Sequence, residues 1–348
     1  MLRLRFRKEE LLFRHPFTIS KGTKTHQPTL AVALNFGPAW GAGEAPAINY
    51  YGVTTDGMEA QLLRHQASIE RYALQAPERF WHFLHHLMPG EHFLTAALDI
   101  AGWDLFAQLR RKPLYELLGA DIRTAPITDY TIGIDTAEAM QARVLERPWP
   151  MYKVKLGTPD DLDLLRAIRA VTEAPLRVDA NEGWTYEEAI RLLPELQKLG
   201  VVLVEQPLSK IETAAQQALK DQSPLPLIAD ESCVTEHDVA ACVQGFHGIN
   251  IKLTKCGGIT PARRMIAQAR QLGLQVMLGS MNECSIGTAA LAHLAPLADF
   301  LDADGPLLLA EDLATGLTLE THRWMPPQIP GLGIRLTPQK IVTGLAGH

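Results

Sequence analysis

The sequence predicts an α/β protein, a modified (β/α)8 TIM barrel with an N-terminal α+β capping domain. Three observations lead there. Three acids close three similar apolar runs: Asp179 after Leu176-Arg-Val, Glu205 after Val201-Val-Leu-Val and Asp230 after Leu227-Ile-Ala, 26 and 25 residues apart. Such a step is about the length of one strand plus one covering helix. From residue 126 onward, short apolar runs alternate with helix-periodic stretches, giving eight strand candidates. The first third runs differently, strands first and helices after, as in an α+β unit.

In chain order, residues 2–12 and 30–36 read as strands, and a short Gly-rich stretch, Gly41-Ala-Gly-Glu-Ala-Pro, follows with no element assigned to it. Residues 55–111 are helical in pattern, with apolar positions at 3.6 spacing around 95–109. The barrel strands are expected at 127–134, 151–156, 176–179, 201–205, 227–229, 248–253, 275–279 and 298–302, with helices such as 159–171, 185–199 and 261–272 between them. An open doubly wound sheet would want a Gly-rich dinucleotide fingerprint after an early strand, and none is present. The expected division is a cap over 1–120, a barrel over 121–310 and a C-terminal segment over 311–348 that packs back on the cap.

Composition narrows the class. The chain has 348 residues, 47% of them apolar, and a formal net charge of −6 without blocks of like charge. That suits a barrel of about 250 residues plus a second unit and excludes the basic footprint of a nucleic-acid binder. The four cysteines form no CxxC pair and read as reduced packing residues. The N-terminal stretch alternates like a strand and lacks the apolar run of a signal peptide. No run of about 18 apolar residues suggests a membrane span. A soluble, cytoplasmic protein is expected.

Carboxylates at the ends of adjacent parallel strands lie where such barrels carry their chemistry. Three hard oxygen ligands converging there point to a divalent cation, with Mg²⁺ the first choice. Lysines bracket them: Lys153 and Lys155 share one face of the preceding strand, and Lys252 ends the strand after Asp230. In a closed barrel the second and sixth strands face each other. Two lysines with a cation between them suit removal of a proton from carbon next to a carboxylate. The cation stabilises the enolate, and nearby positive charge lowers the pKa of a lysine base. One lysine removes the proton and the other returns one, inverting a stereocentre.

Together K-x-K, V-D-A-N, E-Q-P, A-D-E-S and I-K-x-x-K-x-G-G, in order and at barrel spacing, resemble the enolase superfamily, in the subgroup of muconate-lactonising enzymes and dipeptide epimerases. A Lys or His base working with Mg²⁺ is a known property of that superfamily. The resemblance implies Mg²⁺ on Asp179, Glu205 and Asp230, catalysis by Lys155 and Lys252, and neutralisation of the substrate carboxylate by Lys153. Asp302 and Asp304 in Phe300-Leu-Asp-Ala-Asp-Gly match the D-x-D motif with which dipeptide epimerases hold the substrate ammonium. The implied activity is inversion of the α-carbon of a dipeptide's C-terminal residue, with L-Ala-D/L-Glu as candidate substrate. In this subgroup a cap loop closes over the substrate, here Ile19-Ser-Lys-Gly-Thr-Lys-Thr-His. Lys24 stands where members acting on Ala-Glu often carry Arg. The expected partner is a small dipeptide, with no nucleic acid or membrane, and a homo-oligomer is left open.

Plainer readings stand beside these. A strand-end acid can simply cap the next helix. Asp302 and Asp304 could form a turn before Gly305-Pro306, and Lys24 could be an ordinary loop charge. His82, His85 and His86 read as surface histidines. Lys255, Glu231 and Glu283 lie near the site with no role fixed. Other chemistries are a lyase or cycloisomerase of the same subgroup, such as o-succinylbenzoate synthase or muconate cycloisomerase, and a Schiff-base aldolase-type barrel.

Overall fold

The computed structural model describes residues 1–336. The expected return segment over 311–348 therefore lies partly outside the described residues. The cap opens with a three-stranded antiparallel sheet, β1 (Arg3–Ile19), β2 (Gly22–Phe36) and β3 (Ala39–Pro46), in that order. Three helices follow, α1 (Thr55–Arg71), α2 (Pro77–Leu87) and α3 (His92–Arg110). β1 and β2 form one long hairpin whose register runs from Arg3↔Asn35 to Ile19↔Gly22, with an irregularity between Leu12 and Phe17. The hairpin continues well past the predicted strand ends and carries its turn towards the barrel.

The Gly-rich stretch given no element is strand β3. Its glycines are packing residues: a Cβ on Gly41 would overlap the backbone of Ala101 and Leu105, and one on Gly43 that of Ala97. β3 thus lies directly on α3, closer than any side chain allows. α3 is buried nearly all round, because its other side meets the barrel. There Asp99 accepts from the Thr260 backbone N–H at 2.9 Å and hydroxyl at 2.8 Å, and Trp103 Nε1 donates to Thr260 Oγ1 at 2.9 Å. Phe80, Leu84, Leu94 and Leu98 form part of the cap core, each fully buried and stabilising by roughly 1.5–3 kcal/mol.

After a short α4 (Leu114–Leu117) come eight parallel strands: β4 (Tyr130–Ile132), β5 (Tyr152–Lys155), β6 (Leu176–Asp179), β7 (Val201–Glu205), β8 (Leu227–Ala229), β9 (Gly248–Lys252), β10 (Gln275–Gly279) and β11 (Phe300–Asp302). They pair in sequence order and close into a barrel. Around them lie α5 (Ala137–Glu146), α6 (Asp161–Arg169), α7 (Tyr186–Lys198), α8 (Thr213–Gln222), α9 (Val239–Gly245), α10 (Leu253–Cys256), α11 (Ile259–Gln271), α12 (Ser285–Leu294) and α13 (Gly305–Leu308). α7 shows the local logic. Thr185 and Glu188 form a reciprocal capping box at its start, and Ala189, Leu192, Leu193 and Leu196 are its buried stripe.

Four barrel strands have the predicted bounds, but β4 and β11 are shorter than 127–134 and 298–302. These two meet at the barrel seam. Only an isolated Thr128↔Leu301 bridge joins them there, with Asp129 N–H reaching Leu301 O at 3.4 Å. Side chains complete the closure: Thr128 Oγ1 accepts from Ala303 N–H at 3.0 Å and Asp304 Oδ2 from Thr131 N–H at 2.6 Å. Beyond α13 the chain returns to the cap. Asp104 on α3 accepts from Leu332 N–H at 2.8 Å and, with its other oxygen, from Ala42 N–H at 2.9 Å.

Candidate active site

The C-terminal ends of the barrel strands gather the sequence-predicted residues. Register places Lys155 beside Asp179 and Asp179 beside Glu205, so neighbouring strands present their side chains at one height. Asp230 directly follows β8, Lys252 ends β9 and Asp302 ends β11. Asp179, Glu205 and Asp230 each offer an oxygen within 4.8 Å of the others, and all three are buried. Their environment fits a divalent cation. Burial and the Asp179 charge push Glu205 up to about 7, and its Oε2 has no aligned hydrogen-bond donor although Lys153 Nζ is 2.7 Å away. A cation relieves the repulsion among three hard oxygen donors.

Lysines flank this cluster on two sides. Lys155 Nζ lies 2.6 Å from Asp179 Oδ2, and Lys252 Nζ lies 2.7 Å from Asp230 Oδ2. Burial opposes charge on Lys252, but Asp230 and Glu205 outweigh it and hold the ammonium above its ordinary range. Lys153 is buried at the centre, 2.6 Å from Asp302 and 3.1 Å from Asp179. Burial alone would raise Asp302, yet Lys153 and Lys155 bring it below the usual carboxylate range. Asp304 is pushed up to about 7 by burial and by Asp302. Both aspartates line the cleft. Asp304 directly precedes α13, but its side chain makes no capping bond there and instead crosses the seam to Thr131.

Lys255, given no role from the sequence, anchors a carboxylate of the triad. Its fully buried ammonium donates to Asp230 Oδ1 at 2.5 Å and to the carbonyls of Asp230, Cys233 and Asn250 at 2.6, 2.8 and 3.2 Å. Asn250 Nδ2 in turn donates to Glu205 Oε1 at 2.9 Å, and Gln206 Oε1 accepts from Asp230 N–H at 3.0 Å. The signal for Lys255 was its place three residues after Lys252, one helical turn past a strand end. Glu231 is buried and accepts from Asn181 Nδ2 at 3.3 Å, while Glu283 accepts from Met281 N–H at 2.5 Å.

The cap roofs the cleft with Phe17, Ile19, Lys24 and Tyr51, and Met281 faces them from the barrel. Lys24 Nζ donates to Gln27 Oε1 at 3.2 Å and has no ion-pair partner among the described residues. Burial, then repulsion from Lys252 and Lys155, lowers its pKa. Next to it the hairpin tip is fastened to the barrel. Lys21 pairs with Glu182 and sits 3.8 Å from the Tyr50 ring centroid, and Glu182 also accepts from Tyr50 OH at 3.0 Å and Lys210 N–H at 2.9 Å. His82 and His86 are exposed on α2, and His85 stacks on Trp81.

Comparison with known proteins accords with this geometry. The profile of the mandelate racemase / muconate lactonizing enzyme N-terminal domain matches residues 2–119, and the enolase C-terminal domain-like profile matches residues 135–340. An L-Ala-D/L-amino acid epimerase of Flavobacterium johnsoniae is 42% identical over 335 residues, covering 96% of this chain and 100% of that protein. A substrate-liganded L-Ala-D/L-Glu epimerase from Bacillus subtilis superposes with a TM-score of 0.90 at 32% identity, covering 95% of this chain and 98% of that one. A dipeptide epimerase from Cytophaga hutchinsonii, solved with Mg and D-Ala-L-Val, gives a TM-score of 0.90 at 27% identity, covering 97% and 96%. With an antiparallel cap sheet, a parallel barrel and a buried acid triad at the strand ends, the chain belongs to the mandelate racemase / muconate lactonizing enzyme family of the enolase superfamily.

Proposed function

We infer that the protein is an isomerase, a dipeptide epimerase that inverts the α-carbon of the C-terminal residue. The observation that carries this reading is the placement of Lys155 and Lys252 on two flanks of one carboxylate cluster, with Asp302 across the same cleft. The relatives described above, named as epimerases of Ala-containing and other dipeptides, support it. Residues 1–120 act as the cap, 121–310 as the catalytic barrel and, within the described residues, 311–336 as a return to the cap. Among the described residues no helix is long and apolar enough to cross a membrane. We place the enzyme in the cytoplasm.

Asp179, Glu205 and Asp230 would hold Mg²⁺, which when bound supplies positive charge that stabilises the developing enolate and lowers the pKa of the neighbouring amines. Lys153 faces the substrate carboxylate, and Asp302 with Asp304 accepts from its ammonium. These contacts fix both ends of the dipeptide, so its α-hydrogen lies between two amines. Lys155 takes the proton on one face and Lys252 gives one on the other, with the roles exchanged for the reverse direction. Lys24, half-buried and without a carboxylate partner, would pair with an acidic side chain on the C-terminal residue, favouring L-Ala-D/L-Glu.

The test is epimerisation of L-Ala-L-Glu in deuterated water. The product's α-carbon should gain solvent deuterium, and Lys155→Ala and Lys252→Ala should each abolish turnover while the protein stays folded. Retention of the original proton through turnover contradicts a two-lysine path. Chelation should remove activity and Mg²⁺ restore it; activity indifferent to chelation would favour Schiff-base chemistry.

A further inference from the structure

Arg177 lies on β6 two residues before Asp179, so its side chain points into the barrel beneath the site. It is 4% exposed. Its Nη1 donates to Asp129 Oδ2 at 2.7 Å and to the carbonyl of Leu301 at 2.9 Å, and the Phe300 ring centroid is 5.1 Å from its guanidinium carbon. Asp129 precedes β4 and Leu301 belongs to β11, so one guanidinium spans the barrel and grips both sides of its seam. The backbone is weakest at that place, since a single bridge and a 3.4 Å hydrogen bond are what the ladder supplies there.

Leu301 is followed directly by Asp302. Among the described residues the Asp302 carboxylate has one hydrogen-bond donor, Lys153. In the epimerase reading, on which this inference rests, Lys153 turns to the substrate carboxylate. Asp302 must then be aimed by its backbone. The β10 ladder holds that backbone on one side, with Ser280 N–H to Asp302 O at 2.9 Å; on the seam side Arg177 to Leu301 O, at 2.9 Å, is the shortest contact to the β11 backbone itself. Asp129 lies buried below, held by Arg177, while burial and the nearby Asp302 push its carboxyl above the usual range.

We propose that Arg177 and Asp129 are positioning residues, a brace across the barrel that sets the height of β11 and so presents Asp302 to the ammonium of the dipeptide. The brace touches neither the substrate nor the proton-transfer lysines. Its loss should appear in recognition of the N-terminal end of the ligand, because displacement of a binding group by about 1 Å can cost on the order of 100-fold.

Two variants test this. Asp129→Asn keeps the shape and one acceptor; the double variant Asp129→Leu with Arg177→Met removes both charges together and leaves no buried ion unpaired. Each is assayed for KM and kcat with L-Ala-L-Glu, and for the inhibition constant of N-propionyl-L-glutamate, which has the dipeptide's size but no ammonium. The expected result is a KM raised about tenfold or more, kcat within about threefold of the wild type, and an unchanged inhibition constant. An unchanged KM in a folded variant overturns the proposal, as does equal weakening of dipeptide and propionyl analogue. A wild-type protein that turns over no dipeptide is a different result, which removes the functional reading itself.

Discussion

Lys255 holds Asp230 by a 2.5 Å ion pair from inside the protein, opposite the side on which Lys252 reaches the other oxygen at 2.7 Å. The carboxylate is pinned between two ammonium groups, and Lys255 also draws in the carbonyls of Cys233 and Asn250. Partners of this kind orient a metal ligand. Lys255→Met should weaken Mg²⁺ binding by about 10- to 100-fold, measured by titration calorimetry. An affinity equal to the wild type in a folded variant would show that Asp230 needs no support.

Lys24 should decide side-chain preference. A charge-assisted hydrogen bond contributes about 1.5–3 kcal/mol, so Lys24→Met should lower kcat/KM for L-Ala-L-Glu by roughly 10- to 100-fold. The rate with L-Ala-L-Val should stay level or rise. Competition between the two dipeptides, followed by deuterium uptake, reads the ratio directly. Equal losses on both would assign Lys24 to closure of the cap rather than to the acid.

Glu182 fastens the hairpin tip, but Lys21 and Tyr50 are partly exposed, and exposed pairs contribute about 0.2–1 kcal/mol. Glu182→Gln should therefore cost only about two- to fivefold in kcat/KM, and added salt should narrow the gap to the wild type. A thousandfold loss would mean that Glu182 acts on the chemistry.

His293 makes stability depend on pH. Its Nδ1 accepts from Tyr115 N–H at 3.0 Å, and its Nε2 lies 3.2 Å from the carbonyl of Leu332, so the ring is neutral with the proton on Nε2. Burial lowers its pKa from 6.5 to about 4. A base with a depressed folded pKa contributes stability that is present above pH 6.5 and lost as pH falls through about 4, in total on the order of 3 kcal/mol. Asp99, pushed up to about 7 by burial, works the other way: its contribution is present below 3.8 and lost as pH rises through 7. Because the two slopes oppose each other between pH 4 and 7, the His293 share is read as a difference: the margin by which the thermal midpoint of the wild type exceeds that of His293→Asn should shrink as pH falls from 6.5 towards 4. An identical slope in the variant would place the titration elsewhere.

The triad, the lysines and most barrel strands were legible because each rests on a local pattern: an apolar run ended by an acid, or two lysines on one face. What was missed depends on partners far along the chain. β3 was given no element because Gly41 and Gly43 signal close packing as readily as a turn, and only α3 decides between them. β4 and β11 looked longer because an apolar run does not reveal where a barrel closes with side chains in place of a ladder. Lys255 looked idle because its four oxygens come from Asp230, Cys233 and Asn250.

α3 is gripped on one side by strand β3 at backbone contact and on the other by Thr260 of the barrel. The body of the cap therefore cannot swing as a door. Admission of a ligand is left to the narrow two-stranded flap ending at Ser20 and Lys21, and release of product has to wait on the same small hinge.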